Sequence, residues 1–186
     1  PPGAPARPAS SSSSAPPVPV RRIDRTTTAI AALVALRLAA LAGIVLSHQE
    51  SVSGGFNGDV FRFIEISTAR GLPYRDAQVE YPPVTWLLLR LVTGPDAARA
   101  MVTLAVSQLA CDLGIAAVLG RAWNRRAALA YLVLGAPLVL YPFPYLRIDL
   151  LSVLLAGVGL ALARRGRPRA GGVALAAAVL AKVWPI

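Results

Sequence analysis

In 186 residues the chain has one cysteine, Cys111, and one histidine, His48. A single thiol cannot close a disulfide framework, and one thiol with one imidazole cannot build a zinc finger or a His/Cys-rich metal cage. Charge is scarce as well: 15% of residues are charged against 55% apolar, and the mean hydropathy is +0.58. That is too apolar for an ordinary soluble domain of this length. Acids are the scarcer sign, 9 against 19 Lys and Arg, which leaves a net charge of +10. On a soluble fold with a basic face such a surplus would point to nucleic acid. Here the charges fall between apolar runs, so a bilayer is expected and nucleic acid is not. The candidate chemistry is left to carboxylates. No Asp-Asp pair or multi-carboxylate oxygen cage supports a divalent metal, and no cofactor is expected. Neither a repeat of 20 to 50 residues nor the inverted pair of interrupted helices common in transporters is present.

What is present is a series of apolar runs. Residues 1–26 read as a disordered Pro/Ser-rich tail: Pro1, Pro2, Pro5, Pro8, Pro16, Pro17 and Pro19 flank the run Ser10 to Ser14, a composition that cannot repay the entropy of ordering. Residues 27–47 form an apolar stretch with one charge, Arg37, preceded by Arg21, Arg22 and Arg25. As a helix it matches a hydrocarbon core of roughly 30 Å. No cleavage signal precedes His48, so it reads as a retained anchor. Further membrane helices are predicted over residues 97–120, 127–146, 148–163 and 170–186. The run at 84–92 is too short to cross and is read as interfacial. Five crossings then put Arg121, Arg125, Arg126, Arg164, Arg165, Arg167 and Arg169 on the side of the N-terminus, which the positive-inside rule makes cytoplasmic. The fold class predicted is an all-α polytopic membrane protein with outer-side juxtamembrane helices. The chain starts without Met and stops inside an apolar run, so it reads as part of a longer protein.

The outer loop, residues 48–96, carries Glu50, Asp59, Glu65, Asp76, Glu80 and Asp96. Asp59 stands where a helix N-cap would, with Val60, Phe61, Ile64 and Thr68 along one side and Gly71 in the stop position. A short amphipathic helix on the membrane surface follows. An oriented carboxylate there suits a general base toward a hydroxyl acceptor; the plainer role is a helix cap. Glu80-Tyr81-Pro82-Pro83 is a rigid extended approach to the next helix, because each proline fixes its own φ and disfavours helix in the residue before it. Within the apolar runs, Asp112 calls for an interior partner, with Arg37, Ser107 and Gln108 the candidates. Asp149 is expected to pair with Arg147, the alternative being that it holds the geometry of a site. Gly157, Gly159, Gly171 and Gly172 read as helix-packing or turn positions, and Cys111 as a small apolar residue.

The order of these features resembles the lipid-sugar-dependent membrane glycosyltransferases of the C superfamily. It comprises one membrane helix, an outer loop with an early Asp, the segment Gly71-Leu72-Pro73-Tyr74, then Glu80-Tyr81-Pro82-Pro83, an amphipathic helix and further membrane helices. Within that superfamily it is most similar to family 87, the polyprenyl-phosphate-mannose-dependent mannosyltransferases. Tyr145-Leu146-Arg147-Ile148-Asp149 resembles that family's Gln-x-Asp-type segment, and Lys182-Val183-Trp184-Pro185 its Lys-x-x-Pro helix end. Phe63 and Arg147 depart from the family, which often has Tyr and Gln there.

The resemblance implies an inverting sugar transfer at the outer face of the plasma membrane. Asp59 would deprotonate the acceptor, a glycan or glycolipid, and the lipid phosphate of a polyprenyl-phosphate-linked sugar would leave. Arg62, Tyr74, Glu80, Tyr81, Arg147, Asp149 and Lys182 are the implied donor-phosphate or substrate-binding residues. Two other readings stand beside it: a multi-pass transporter using Arg37 and Asp112, and a non-catalytic anchor whose tail and arginines bind partners or anionic lipid.

Overall fold

The computed structural model describes residues 24–47, 58–76, 78–140 and 143–182. Among these residues all regular structure is helical. Helix α1 spans Arg25–Leu46, α2 Gly58–Thr68, α3 Pro83–Val92, α4 Ala97–Ala122 and α5 Arg125–Val139; a 3-10 helix covers Phe143–Leu146, and α6 (Asp149–Arg164) and α7 (Pro168–Ala181) follow.

The boundaries come from local chemistry. Asp24 caps α1 by accepting from the Thr26 N–H, Asp96 caps α4 through the Arg99 N–H, and Asn124 caps α5 through the Ala127 N–H, each satisfying a donor that has no partner inside its helix. Pro83 and Pro168 open α3 and α7, where a missing N–H costs nothing.

Several predicted boundaries shift. Helix α1 begins at Arg25 with Asp24 as its cap, inside the stretch 1–26 read as tail; residues 1–23 and His48 lie outside the described residues. The single helix predicted over 127–146 is two elements, because α5 ends at Val139 and the 3-10 helix begins at Phe143. Prolines at 142 and 144 supply no N–H to carry an i to i−4 ladder onward. Helix α7 starts two residues before the predicted 170 and ends at Ala181; 183–186 are outside the described residues.

Two helices, α1 and α4, are long and apolar enough to cross a membrane. At 15, 16 and 14 residues, α5, α6 and α7 rise only about 21 to 24 Å. Length alone therefore carries two of the five predicted crossings. Helix α1 is inverted relative to a helix of a soluble core: its one internal charge, Arg37, is 0% exposed, while Leu38 is 50% and Leu46 83% exposed.

Helix α4 is the central element and packs on α1, α2, α3, α5, the 3-10 helix and α6. Arg37 on α1 ties three helices together: its Nε donates to Asp112 Oδ2 on α4 at 2.8 Å, and its Nη2 donates to the Leu132 carbonyl on α5 at 3.2 Å. The Tyr131 hydroxyl on α5 donates to Asp112 Oδ1 at 2.6 Å, and the Tyr145 hydroxyl of the 3-10 helix to Asp112 Oδ2 at 2.8 Å. Of the three candidate partners for Asp112, Arg37 is the one engaged. Ser107 bonds the Leu104 carbonyl, and Gln108 accepts from the Leu150 N–H.

The start of α1, the end of α4 and start of α5, and the end of α6 and start of α7 meet at one end of the bundle. Arg125 lies 3.9 Å from Asp24, and Arg165 donates to the Arg121 carbonyl at 3.3 Å. The arginines of the α4–α5 and α6–α7 connections thus share that end.

Helices α6 and α7 pack through glycine. A Cβ at Gly171 would sit 2.7 Å from the Gly159 carbonyl oxygen, whereas one at Gly172 would meet nothing within 4 Å. Gly171→Ala is expected to destabilise the protein by about 1–3 kcal/mol through overpacking. Gly172→Ala should be neutral or slightly stabilising, since alanine is the better helix former. Thermal unfolding in detergent compares the two; equal midpoints would mean that the helices do not meet at Gly171.

Candidate functional site

The opposite end of the bundle collects the residues singled out in the outer loop. Helix α2 lies there because Val60, Phe63 and Ile66 repeat at helical spacing and are buried, at 1%, 1% and 2% exposure. Asp59 is not the cap: the helix already begins at Gly58, so Asp59 belongs to its first turn. A negative charge is favoured at that position by the helix dipole.

Asp59 Oδ2 accepts from Arg147 Nε at 2.8 Å, a contact between residues 88 positions apart. Arg147 lies in the two-residue link between the 3-10 helix and α6. Asp149, in the first turn of α6, does not pair with Arg147 as predicted; its carboxylate meets the Lys182 ammonium at the end of α7. Two positions along the chain, at a turn into a helix, are enough to aim the side chains at different neighbours. The two ion pairs adjoin. Lys182 experiences Arg147 as a repelling charge and Asp59 as an attracting one. The cluster holds two carboxylates and two cations, all part-exposed: Asp59 and Arg147 side chains at 43% and 38%, Asp149 and Lys182 at 29% and 20%.

A second group secures the loop beside it. Arg62 on α2 donates to both Glu80 oxygens, from Nε at 2.9 Å and Nη2 at 2.5 Å, to the Gln78 carbonyl at 3.0 Å, and pairs with Glu65 at 2.8 Å. The Arg62 bond holds the Glu80 carboxyl below the usual carboxylate range. The Tyr74 hydroxyl donates to the Tyr81 carbonyl at 2.6 Å, and Tyr74 itself takes a left-handed φ of 69°, a conformation that costs an L-residue energy unless its surroundings hold it. Tyr81 packs edge-on against Phe63, with ring centroids 5.7 Å apart. Burial, then the charges of Asp59 and Glu80, push the Tyr81 hydroxyl above its ordinary value. The phenol therefore stays neutral at physiological pH, within electrostatic reach of Asp59.

Asp59, Arg147, Asp149, Lys182 and Tyr81 thus come together, while Arg62, Glu80 and Tyr74 shape the loop that adjoins them. Next to the cluster lies an apolar cavity of about 110 Å³ between α3, α4 and α6, with Thr85, Leu88, Leu89, Leu104, Gln108 and Ile148 in its wall. Ile148 stands between Arg147 and Asp149 in the chain, so charge and cavity share one loop.

Sequence reasoning missed the bonds from α4 to that loop, namely Gln108 to the Leu150 N–H at 3.2 Å and Asp112 to Tyr145. The available signal was spacing: two polar residues four apart in an apolar helix lie on one face. Compared with known proteins, the chain matches no family model, no curated protein and no solved structure.

Proposed function

We propose that the chain is the site-bearing membrane part of an inverting glycosyltransferase. It takes a sugar, mannose in the closest reading, from a polyprenyl phosphate and transfers it to a glycan or glycolipid acceptor on the outer face of the plasma membrane. The observation that carries this reading is the Asp59–Arg147 pair with Lys182 beside it: a carboxylate base and two cations at one end of a helical bundle, next to an apolar cavity. In this reading five helices cross, α1 and α4 fully and α5 to α7 as shorter elements. The arginine-rich end with the N-terminus is cytoplasmic, and α2 and α3 lie along the outer surface.

The chemistry follows from charge. An acceptor hydroxyl attacks the anomeric carbon from the face opposite the phosphate, its proton passing to Asp59 while the carbon–oxygen bond to the lipid phosphate breaks and the electron pair leaves with the phosphate. Negative charge grows on that leaving oxygen. Arg147 and Lys182 supply charge-assisted donors for it, and a guanidinium carries five N–H groups, enough to engage phosphate and Asp59 together. Apolar surface of the cavity type suits the first isoprene units of the donor. Arg37 and Asp112, which a transport reading would place on a substrate path, are spent on each other and on packing.

The test uses the intact protein in proteoliposomes with a labelled polyprenyl-phosphate sugar and candidate acceptors. Transfer with the product anomer opposite to that of the donor is expected. No transfer with any acceptor, or a retained anomer, defeats the proposal.

A further inference from the structure

The residues that hold the cluster's loop lie deep in the bundle rather than at the site. Residues 145–150 run from the 3-10 helix into α6 and contain both Arg147 and Asp149. At one end of this segment the Tyr145 hydroxyl, on a side chain 0% exposed, donates to Asp112 Oδ2 at 2.8 Å. At the other end the Leu150 N–H donates to Gln108 Oε1 at 3.2 Å. Gln108 and Asp112 are 4% exposed and lie one turn apart on α4, so they present both acceptors from a single face. The oxygen that accepts from Tyr145, Asp112 Oδ2, also accepts from Arg37 Nε at 2.8 Å, whereas Tyr131 takes the other oxygen. A buried carboxylate bonded at both oxygens has one orientation, so the Tyr145 end of the loop takes its position from Asp112, while the Leu150 end is tied to α4 by the single Gln108 bond.

We propose that Gln108 and Asp112 are positioning residues that clamp the segment between Tyr145 and Leu150 from both ends and thereby set where Arg147 meets Asp59 and the donor phosphate. The proposal rests on the glycosyltransferase reading for the role of Arg147, though not for the clamp itself. Geometry motivates it: Arg147 stands on a link of two residues between helical elements, and its side chain is only part-buried. An arginine on an unclamped link would sample many positions, and a phosphate contact misplaced by an ångström loses most of its value.

Tyr131 provides the internal control. Tyr145 and Tyr131 each donate one hydroxyl to the same carboxylate, at 2.8 and 2.6 Å, yet Tyr131 belongs to α5 and does not lead into the loop. Tyr145→Phe and Tyr131→Phe remove equivalent bonds and keep both rings in place. In the intact protein, hydrogen–deuterium exchange across residues 143–150 should quicken about tenfold in Tyr145→Phe, the factor that one lost hydrogen bond to a charged group is worth. It should stay at the wild-type rate in Tyr131→Phe. In the transfer assay, Tyr145→Phe and Gln108→Leu should each raise the donor KM by about tenfold and leave the acceptor KM unchanged. A merely structural defect reduces the number of active molecules, lowering apparent kcat without moving either KM. Matching behaviour of the two tyrosine variants in exchange and in donor KM overturns the clamp. Absence of transfer by the wild-type protein defeats the enzymatic reading instead, and the exchange comparison still decides the clamp.

Discussion

Asp59→Asn is expected to lower kcat for sugar transfer by about 10² to 10⁴-fold, the range that a positioned general base contributes. The substitution keeps the shape of the side chain and one oxygen that can accept from Arg147 Nε, now at 2.8 Å from Oδ2. What it removes is basicity. The pair is part-exposed, at 43% and 38% for its side chains, and such pairs contribute roughly 0–1 kcal/mol to stability, so the unfolding midpoint should barely move. The two substrates should respond differently. An Arg147 no longer neutralised by a carboxylate attracts the donor phosphate more strongly, so the donor KM should hold or fall while kcat collapses, the signature of an interaction made in the transition state. Arg147→Ala should do the reverse, raising the donor KM. Initial rates at varied donor concentration, with thermal unfolding alongside, check all of this. Wild-type kcat in Asp59→Asn would remove Asp59 from the base role, and a collapse in stability would make it a structural residue.

The apolar runs made α1 and α4 legible to within two residues, because a run of twenty apolar residues allows little else and Asp24 and Asp96 are ready caps. The run at 127–146 misled because apolar composition continues through a point where the backbone cannot: prolines at 142 and 144 withdraw donors, and the chain passes from α5 into a 3-10 helix. The charged cluster at the candidate site was legible as a set of residues and not as a set of pairs. Asp59, Arg147, Asp149 and Lys182 could each be named from the sequence as a charge at a boundary. That Arg147 reaches back 88 positions to Asp59 and leaves Asp149 to Lys182 depends on how α2, α6 and α7 pack. Nearness in sequence made Arg147 and Asp149 look like partners, but at a turn two residues apart carries no information about direction. Arg37 with Asp112 was the reverse case. An isolated charge in an apolar run is costly, so each needed an opposite charge in another run, and the sequence offers few.

Replacing Arg37 by Met is expected to cost about 3–5 kcal/mol of stability, the loss typical of removing one partner of a buried ion pair. Arg37 is 0% exposed and its bonds are dispersed: Nε to Asp112, Nη1 to the Leu33 carbonyl and Nη2 to the Leu132 carbonyl. Without it, Asp112 retains the Tyr131 and Tyr145 hydroxyls but no opposite charge. Lysine should rescue only in part. An ammonium is a compact point charge and cannot bridge α4 and α5 in the forked manner of a guanidinium. Helix α5 is cut to fit the guanidinium, since a Cβ at Gly135 would lie 3.0 Å from Arg37 Nη2. The double substitution Arg37→Met with Asp112→Leu should regain most of the loss, because removing both charges also removes the need to desolvate either. Denaturation midpoints of the two single variants and the double, arranged as a double-mutant cycle, measure the coupling directly. Additive losses would show that the two charges do not stabilise each other. A recovered fold that nevertheless shows a raised donor KM would separate the two duties of Asp112: holding α1 against α4, where leucine suffices, and fixing the Tyr145 end of the Arg147 loop, where only an acceptor does.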